Sequence, residues 1–191
     1  MSRRKLLLIV FVGLLLAGSA YWLFRFPSDR TPEGAYARIA LAVTRDRPED
    51  FFAYLETRAQ WAAYTVRDYR KKAVELVART YPQAERERLL AEWGPFAEAP
   101  DGADVFALYA RQRGWLNRLR KDLSGIAGIE AQGERATIET ARGTRYSFRR
   151  RENGIWGLTM FTGELEAEAE KAARDFAVVE RAAQDYERAG K

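Results

Sequence analysis

The segment from Arg142 to Thr162 constrains the fold more than any other stretch of the chain. Aromatic residues and arginines alternate up to Glu152-Asn153-Gly154, and a Trp156, Leu158, Met160 row follows with the same period of two. Alternation around an Asn-Gly pair is the signature of a β-hairpin. Its register decides which side chains share a face, because a slip of one residue exchanges the two faces of a strand. A two-residue Asn153-Gly154 turn places Arg149 opposite Leu158 and mixes arginine with the apolar row. A three-residue Glu152-Asn153-Gly154 loop, with Gly154 left-handed as a bulge, sets Tyr146 opposite Met160, Phe148 opposite Leu158 and Arg150 opposite Trp156. Only the second register segregates the residues. It predicts Tyr146, Phe148, Trp156, Leu158 and Met160 as core or pocket lining. It predicts Arg145, Arg149 and Arg151 as a basic outer face, beside Ser147, Ile155, Gly157, Thr159 and Phe161.

Two further strands precede the hairpin. From Gly128 the period is already two, with Ile129 and Ala131 alternating, a turn over Gln132-Gly133-Glu134-Arg135, and a return over residues 136–140. Everything else reads as helix. Thr31 is an N-cap followed by Pro32 and Glu33, and Tyr36, Ile39, Ala40 and Val43 form one stripe. Pro48 begins a short helix carrying Phe51, Phe52 and Leu55. A long helix is expected over 58–81, its stripe read as Trp61, Thr65, Tyr69, Ala73, Leu76 and Thr80. Pro82 starts another, with Leu89, Leu90 and Trp93, and Gly94-Pro95 reads as its stop before a loop over 95–102. Two more helices follow, one with Val105, Phe106, Leu108 and Tyr109, the other with Trp115, Leu116, Leu119 and Leu123, separated by Gly114. After Gly163 one long helix carries Leu165, Ala169, Ala172, Phe176, Val179, Ala183 and Tyr186 in four-three spacing, either docked on its own domain or available as an oligomer seam.

The N-terminus is of another kind. Leu6 to Phe24 is an uncharged apolar run behind Ser2-Arg3-Arg4-Lys5. As a helix it spans about 28 Å, close to the hydrocarbon thickness of a bilayer. The basic cluster favours a cytoplasmic N-terminus, which sends the remainder outward. Gly18-Ser19-Ala20 also fits a signal-peptidase site, although the apolar run continues past it through Tyr21 and Trp22. The chain therefore divides into a cytoplasmic basic end (1–5), a transmembrane signal anchor (6–26), a linker (27–30), an α+β domain (31–162) and a C-terminal helix (163–191). The fold class is α+β: a transmembrane helix, several helices on a four-stranded antiparallel curved sheet, and a long C-terminal helix.

Composition excludes whole classes of chemistry. The 191 residues include no histidine and no cysteine. Disulfides, thiol nucleophiles, thiolate metal sites, Ser-His-Asp triads and HExxH sites are therefore ruled out. No Asp-x-Asp cluster or calcium loop stands in for them, so no metal or cofactor is expected. Carboxylate and tyrosine chemistry stays open through Asp46, Asp50, Glu56, Asp68 and Glu75 with Tyr36, Tyr64, Tyr69 or Tyr146. The formal net charge is +5, and residues 111–151 concentrate it, with eleven Arg/Lys against four Asp/Glu. An anionic partner would relieve that surface, while the simpler reading is a solvated face guarded against edge pairing. Nucleic acid is not expected, since Tyr146 and Phe148 lie on the side away from the arginines.

The order of elements resembles the nuclear-transport-factor-2-like (cystatin-like) superfamily. Thr31-Pro-Glu-Gly-Ala-Tyr-Ala-Arg-Ile-Ala is similar to its opening helix, Asp46-Arg-Pro-Glu-Asp-Phe-Phe-Ala-Tyr-Leu to its second, and the strands ending Gly154-Ile-Trp-Gly-Leu to its closing sheet. The resemblance implies a curved sheet folded around helices, an apolar pocket, and kinship with membrane-anchored bacterial proteins. Residues 58–123 and the terminal helix depart from that pattern by adding helix. No catalytic pair carries over, because no pocket carboxylate and tyrosine can be matched. The expectation is a non-catalytic binding or interaction domain held by residues 6–26 at the inner membrane, facing the periplasm, with a protein or an anionic envelope component as partner. The alternatives are a small-molecule enzyme using carboxylate and tyrosine groups, and an assembly module acting through the terminal helix.

Overall fold

The computed structural model describes residues 27–189, so the expected membrane segment 6–26 lies outside the described residues. Among the described residues, no helix is long and apolar enough to cross a membrane. Helix α1 (Pro32–Thr44) begins as its sequence dictates: the Thr31 hydroxyl accepts from the Gly34 amide at 3.2 Å, and Pro32 fills the first turn. Its Tyr36, Ile39 and Val43 are buried, with Ala35 and Ala42 in place of the expected Ala40. Helix α2 (Pro48–Phe51) and a 3-10 turn (Phe52–Tyr54) lead to Leu55, which bridges in parallel to Leu158. Helix α3 (Thr57–Thr80) follows, then α4 (Gln83–Ala97), α5 (Gly102–Gln112) and α6 (Trp115–Asp122). The sheet comprises β1 (Ile126–Gln132), β2 (Arg135–Thr140), β3 (Arg145–Arg150) and β4 (Trp156–Leu158), antiparallel in the order β1-β2-β3-β4. Helix α7 (Thr162–Ala189) closes the fold.

The hairpin takes the three-residue register. Phe148 pairs with Leu158 and Arg150 with Trp156. Gly154 adopts φ 83°, a left-handed conformation that a Cβ would penalise, and its amide donates to the Arg151 carbonyl at 2.9 Å. Tyr146, Phe148, Trp156 and Leu158 are buried in the main core, with α1 packed on the sheet, and Met160 packs half-buried at their margin. Phe161 departs from the expected face. The ladder ends where Thr159 donates from both its amide and its hydroxyl to the Ser147 carbonyl. Alternation then lapses, and Phe161 turns into the core, stacked on Trp115 at 4.6 Å.

Two helical expectations need correction. The buried face of α3 is Ala59, Ala62, Ala63, Val66, Arg70, Ala73 and Val77, and Trp61 is 70% exposed. Small residues win this face because α7 lies along it, with Leu165, Ala169 and Ala172 buried in the main core. Helix α4 also runs through Pro95 to Ala97. Proline removes one amide donor and so leaves one carbonyl a turn earlier without its helical partner. So close to the helix end that loss is small, and Phe96 holds the last turn by packing 4.7 Å from Tyr109.

The apolar interior forms two clusters. The main one joins α1, α2, α5, α6 and the sheet to the first halves of α3 and α7. A second, of Ala73, Val77, Tyr81, Leu89, Trp93, Val179 and Ala183, holds α4 between the far halves of α3 and α7. Arg70 sits at their junction, 4% exposed, paired with Asp175 at 2.7 Å and stacked over Trp93 at 4.6 Å. A buried charge stripped of its partner costs roughly 3–5 kcal/mol, whereas an apolar replacement of the whole group is close to neutral. Asp175→Ala is therefore expected to lower the melting temperature of the full chain by about 6–20 °C. Arg70→Met should lower it less, because the Asp175 carboxylate it leaves behind is 28% exposed and can be hydrated, whereas the Arg70 guanidinium cannot. Equal losses in the two variants would show that the pair contributes no more than packing.

Candidate functional site

The three arginines predicted as a basic face have three different fates. Arg145 is exposed and paired with Glu130 across the sheet at 2.8 Å. Arg151 is not on the open face. It donates from Nη1 to the Ala53 carbonyl at 2.7 Å and from Nη2 to Gln60 Oε1 at 3.0 Å. Gln60 in turn donates to the carbonyls of Phe52 (2.8 Å) and Leu55 (3.1 Å), so Arg151 clamps the hairpin loop onto the 3-10 turn and the first turn of α3. Burial lowers its pKa from the ordinary arginine value. Arg149 alone remains a free basic group, exposed and, among the described residues, without an ion pair.

Arg149 has a neighbour that the sequence pattern assigns to a turn. The β1–β2 turn needs only Gly133 (φ 59°) and Glu134, and strand β2 starts at Arg135. Arg135 is then the direct cross-strand partner of Arg149. Both are exposed, and Arg135 also has no ion pair among the described residues. Like charges directly opposed on a sheet repel. The alternation of Arg135, Thr137 and Glu139 is the signal that could have found this.

These arginines border a cleft of about 370 Å³ on the sheet face opposite α1. Thr137 and Ser147, themselves a cross-strand pair, line its floor with Thr159 beside them. Glu56 and Arg58, at the start of α3, form its wall. Arg58 is already engaged, donating to both carboxylate oxygens of Glu166 at 2.7 and 2.8 Å. Glu56 is not. It is only 7% exposed, it occupies the N-cap of α3 without capping through its side chain, and its carboxylate has no partner among the described residues.

Local geometry fixes Glu56. Its amide donates to the Leu158 carbonyl at 3.2 Å, and its backbone lies directly on Gly157, where an added Cβ would meet Glu56 Cα and N at 2.6 Å. Gly157 is the cross-strand partner of Arg149, so the carboxylate and the free guanidinium flank the same point of the sheet.

The other candidate carboxylates are occupied or exposed. Asp46 pairs with Arg120, Asp50 with Arg47 and Asp68 with Arg67, and Glu75 is on the surface. Among the tyrosines, Tyr36 donates to the Ser124 carbonyl at 2.7 Å. Tyr146 has a buried hydroxyl without a partner, pushed up to about 12 chiefly by burial. It lies in the core beneath the sheet while Glu56 lies above it, so the two are not brought together. A tyrosine and carboxylate do meet at Tyr109 and Glu168, 3.0 Å apart. Burial, then the Glu168 charge, raise the Tyr109 pKa, and Arg113 holds the same carboxylate. That group ties α5 to α7. A larger cleft of about 450 Å³ opens between α4 and α7, but Asp175 there is held by Arg70 and Glu85 accepts from Tyr186 at 2.9 Å.

No family model, no curated protein and no solved structure matches the chain.

The unequal roles of the arginines give a direct stability test. Arg151→Ala removes two hydrogen bonds from a half-buried charged donor and is expected to cost about 2 kcal/mol in chemical denaturation. Arg145→Ala loses one exposed pair and should change stability by under about 1 kcal/mol. Arg149→Ala should be neutral or slightly stabilising, since it relieves the repulsion with Arg135. Three equal effects would contradict the assigned positions.

Proposed function

We propose that the chain is a membrane-anchored, extracytoplasmic binding domain without catalytic activity, and that its site is the cleft at Arg135 and Arg149. The observation that carries this reading is the opposed, unpaired guanidinium pair at the mouth of a hydroxyl-lined cleft. Folding sets two like charges face to face, and an anion between them removes the repulsion while gaining charge-assisted hydrogen bonds from both. Thr137 and Ser147 add neutral donors, and the N-terminus of α3 adds the positive end of a helix dipole. The anionic group belongs to the envelope, on the outer side of an inner membrane. Support for the anchor and the compartment comes from the apolar run of residues 6–24 behind its basic cluster.

The same proposal assigns α1, α2 and the sheet to the nuclear-transport-factor-2-like superfamily, on the strength of their order and of the Trp156 strand. It treats the outer half of α3, α4 and α7 as an added arm. The ligand site in this reading is on the outer sheet face and not among Tyr146, Phe148, Trp156, Leu158 and Met160, which are taken up by packing.

The full chain in a nonionic detergent, titrated with ethyl phosphate by calorimetry, tests the site. Saturable binding is expected, weakening with added salt, and Arg135→Ser or Arg149→Ser should each lower affinity at least about tenfold. Arg145→Ser, outside the cleft, should leave it unchanged. Unaltered binding in both cleft variants would defeat the proposal. Topology has a separate measure: a reporter fused after Lys191 should be active only outside the cytoplasm, and cytoplasmic activity would overturn the compartment.

A further inference from the structure

Resting on the reading that this cleft takes an anion, we infer that its ligand is an aminoalkyl phosphate: a phosphate carried within a few bonds of a primary ammonium. The deciding group is Glu56. An anion site has no use for a carboxylate in its wall, and a carboxylate whose residue is only 7% exposed, with its oxygens open to the cleft, is expected to recruit an available donor of the fold. Glu56 recruits none, although Arg58 is two residues away, because Glu166 takes that guanidinium by two oxygens. Nor does it turn back to cap α3. Its backbone is pinned by the Leu158 carbonyl and the bare Gly157, so the side chain is held at the cleft wall and not left to drift into solvent.

Charge balance selects the ligand. Among the described residues lining the cleft, Arg135 and Arg149 are unpaired cations, Glu56 is an unpaired anion, and Arg58 is neutralised. The unpaired groups sum to one positive charge with both signs present. A phosphate monoester carries close to two negative charges at neutral pH. With one ammonium attached, it is the complement in net charge and in polarity. The phosphate lies between the two guanidiniums over the Thr137 and Ser147 hydroxyls, and the ammonium meets Glu56. A cleft of about 370 Å³ is of the size that holds a small ligand. A simple anion would leave Glu56 facing like charge, and a simple amine would leave both arginines unrelieved.

Calorimetry on the full chain in nonionic detergent, comparing O-phosphoethanolamine, ethyl phosphate and ethanolamine at one ionic strength, tests this. O-phosphoethanolamine is expected to bind at least about tenfold more tightly than ethyl phosphate, with ethanolamine not detectably bound. Glu56→Gln should abolish that advantage while leaving ethyl phosphate binding intact. Arg149→Ser should weaken both phosphates. If ethyl phosphate matches O-phosphoethanolamine in the unaltered chain, the aminoalkyl inference falls and the anion cleft stands. If neither phosphate binds, both fall. These two outcomes are measured on the unaltered chain, so they do not depend on how Glu56→Gln folds. Dihexanoyl phosphatidylethanolamine, a diester with a single phosphate charge and no net charge, is expected to compete at least about tenfold more weakly than the free monoester; equal competition would overturn the charge-balance argument and assign a lipid headgroup instead.

Discussion

The contact between the Leu55-Glu56 backbone and strand β4 is the constraint on which the architecture turns. Leu55 bridges to Leu158, the Glu56 amide bonds the Leu158 carbonyl, and Gly157 has no side chain to hold them apart. This touch ends the α2 region, sets the starting point and direction of the 24-residue α3, and shields the β4 edge of the sheet. Because α7 packs along α3, the placement of the longest helix in the described chain follows from the same contact. The cleft is a by-product: a helix N-terminus laid on a sheet face leaves a groove beside it.

The helical arm shows how small residues and one charge divide the labour. Alanines at 59, 62, 63 and 73 let α7 approach α3 closely, and close approach maximises dispersion contact per residue. Where apolar packing is interrupted, Arg70 fills the junction with a flat guanidinium that stacks on Trp93 and pairs with Asp175. Arginine suits this place better than lysine, since its planar group is weakly hydrated and stacks. The stripe of α7 from Leu165 to Ala183, which spacing alone allows as a seam for a second chain, is used inside this one.

Legibility varies with the kind of physics involved. The hairpin register is readable because turn chemistry and face segregation both select the Gly154 bulge. Caps at Thr31 and the break at Gly114 (φ 65°) are likewise local matters. The buried face of α3 escapes sequence reading because Trp61 and Tyr69 outweigh alanine on any hydrophobicity count, whereas the partner helix rewards small size. Pro95 looks like a stop because the pull of Tyr109 on Phe96 is tertiary. The site is half visible. Arg149 and Glu56 both stand out in the sequence, but Arg135 is hidden by an overlong turn. That Arg151 is a clamp depends on Ala53 and Gln60, about a hundred residues away in sequence.

The pairing of α3 with α7 also sets the order in which the chain can be completed. About eighty residues separate the end of one helix from the start of the other, so their docking closes a long loop and comes after the local elements have formed. Until then the alanine face of α3 and the undersides of both apolar clusters lie bare. Since α7 is the last described helix to leave the ribosome, and on the proposed topology the last to cross the membrane, nascent α3 waits uncovered on the far side. A chain interrupted before residue 162 would expose both clusters at once, marking it for capture by chaperone or protease as a single failed unit.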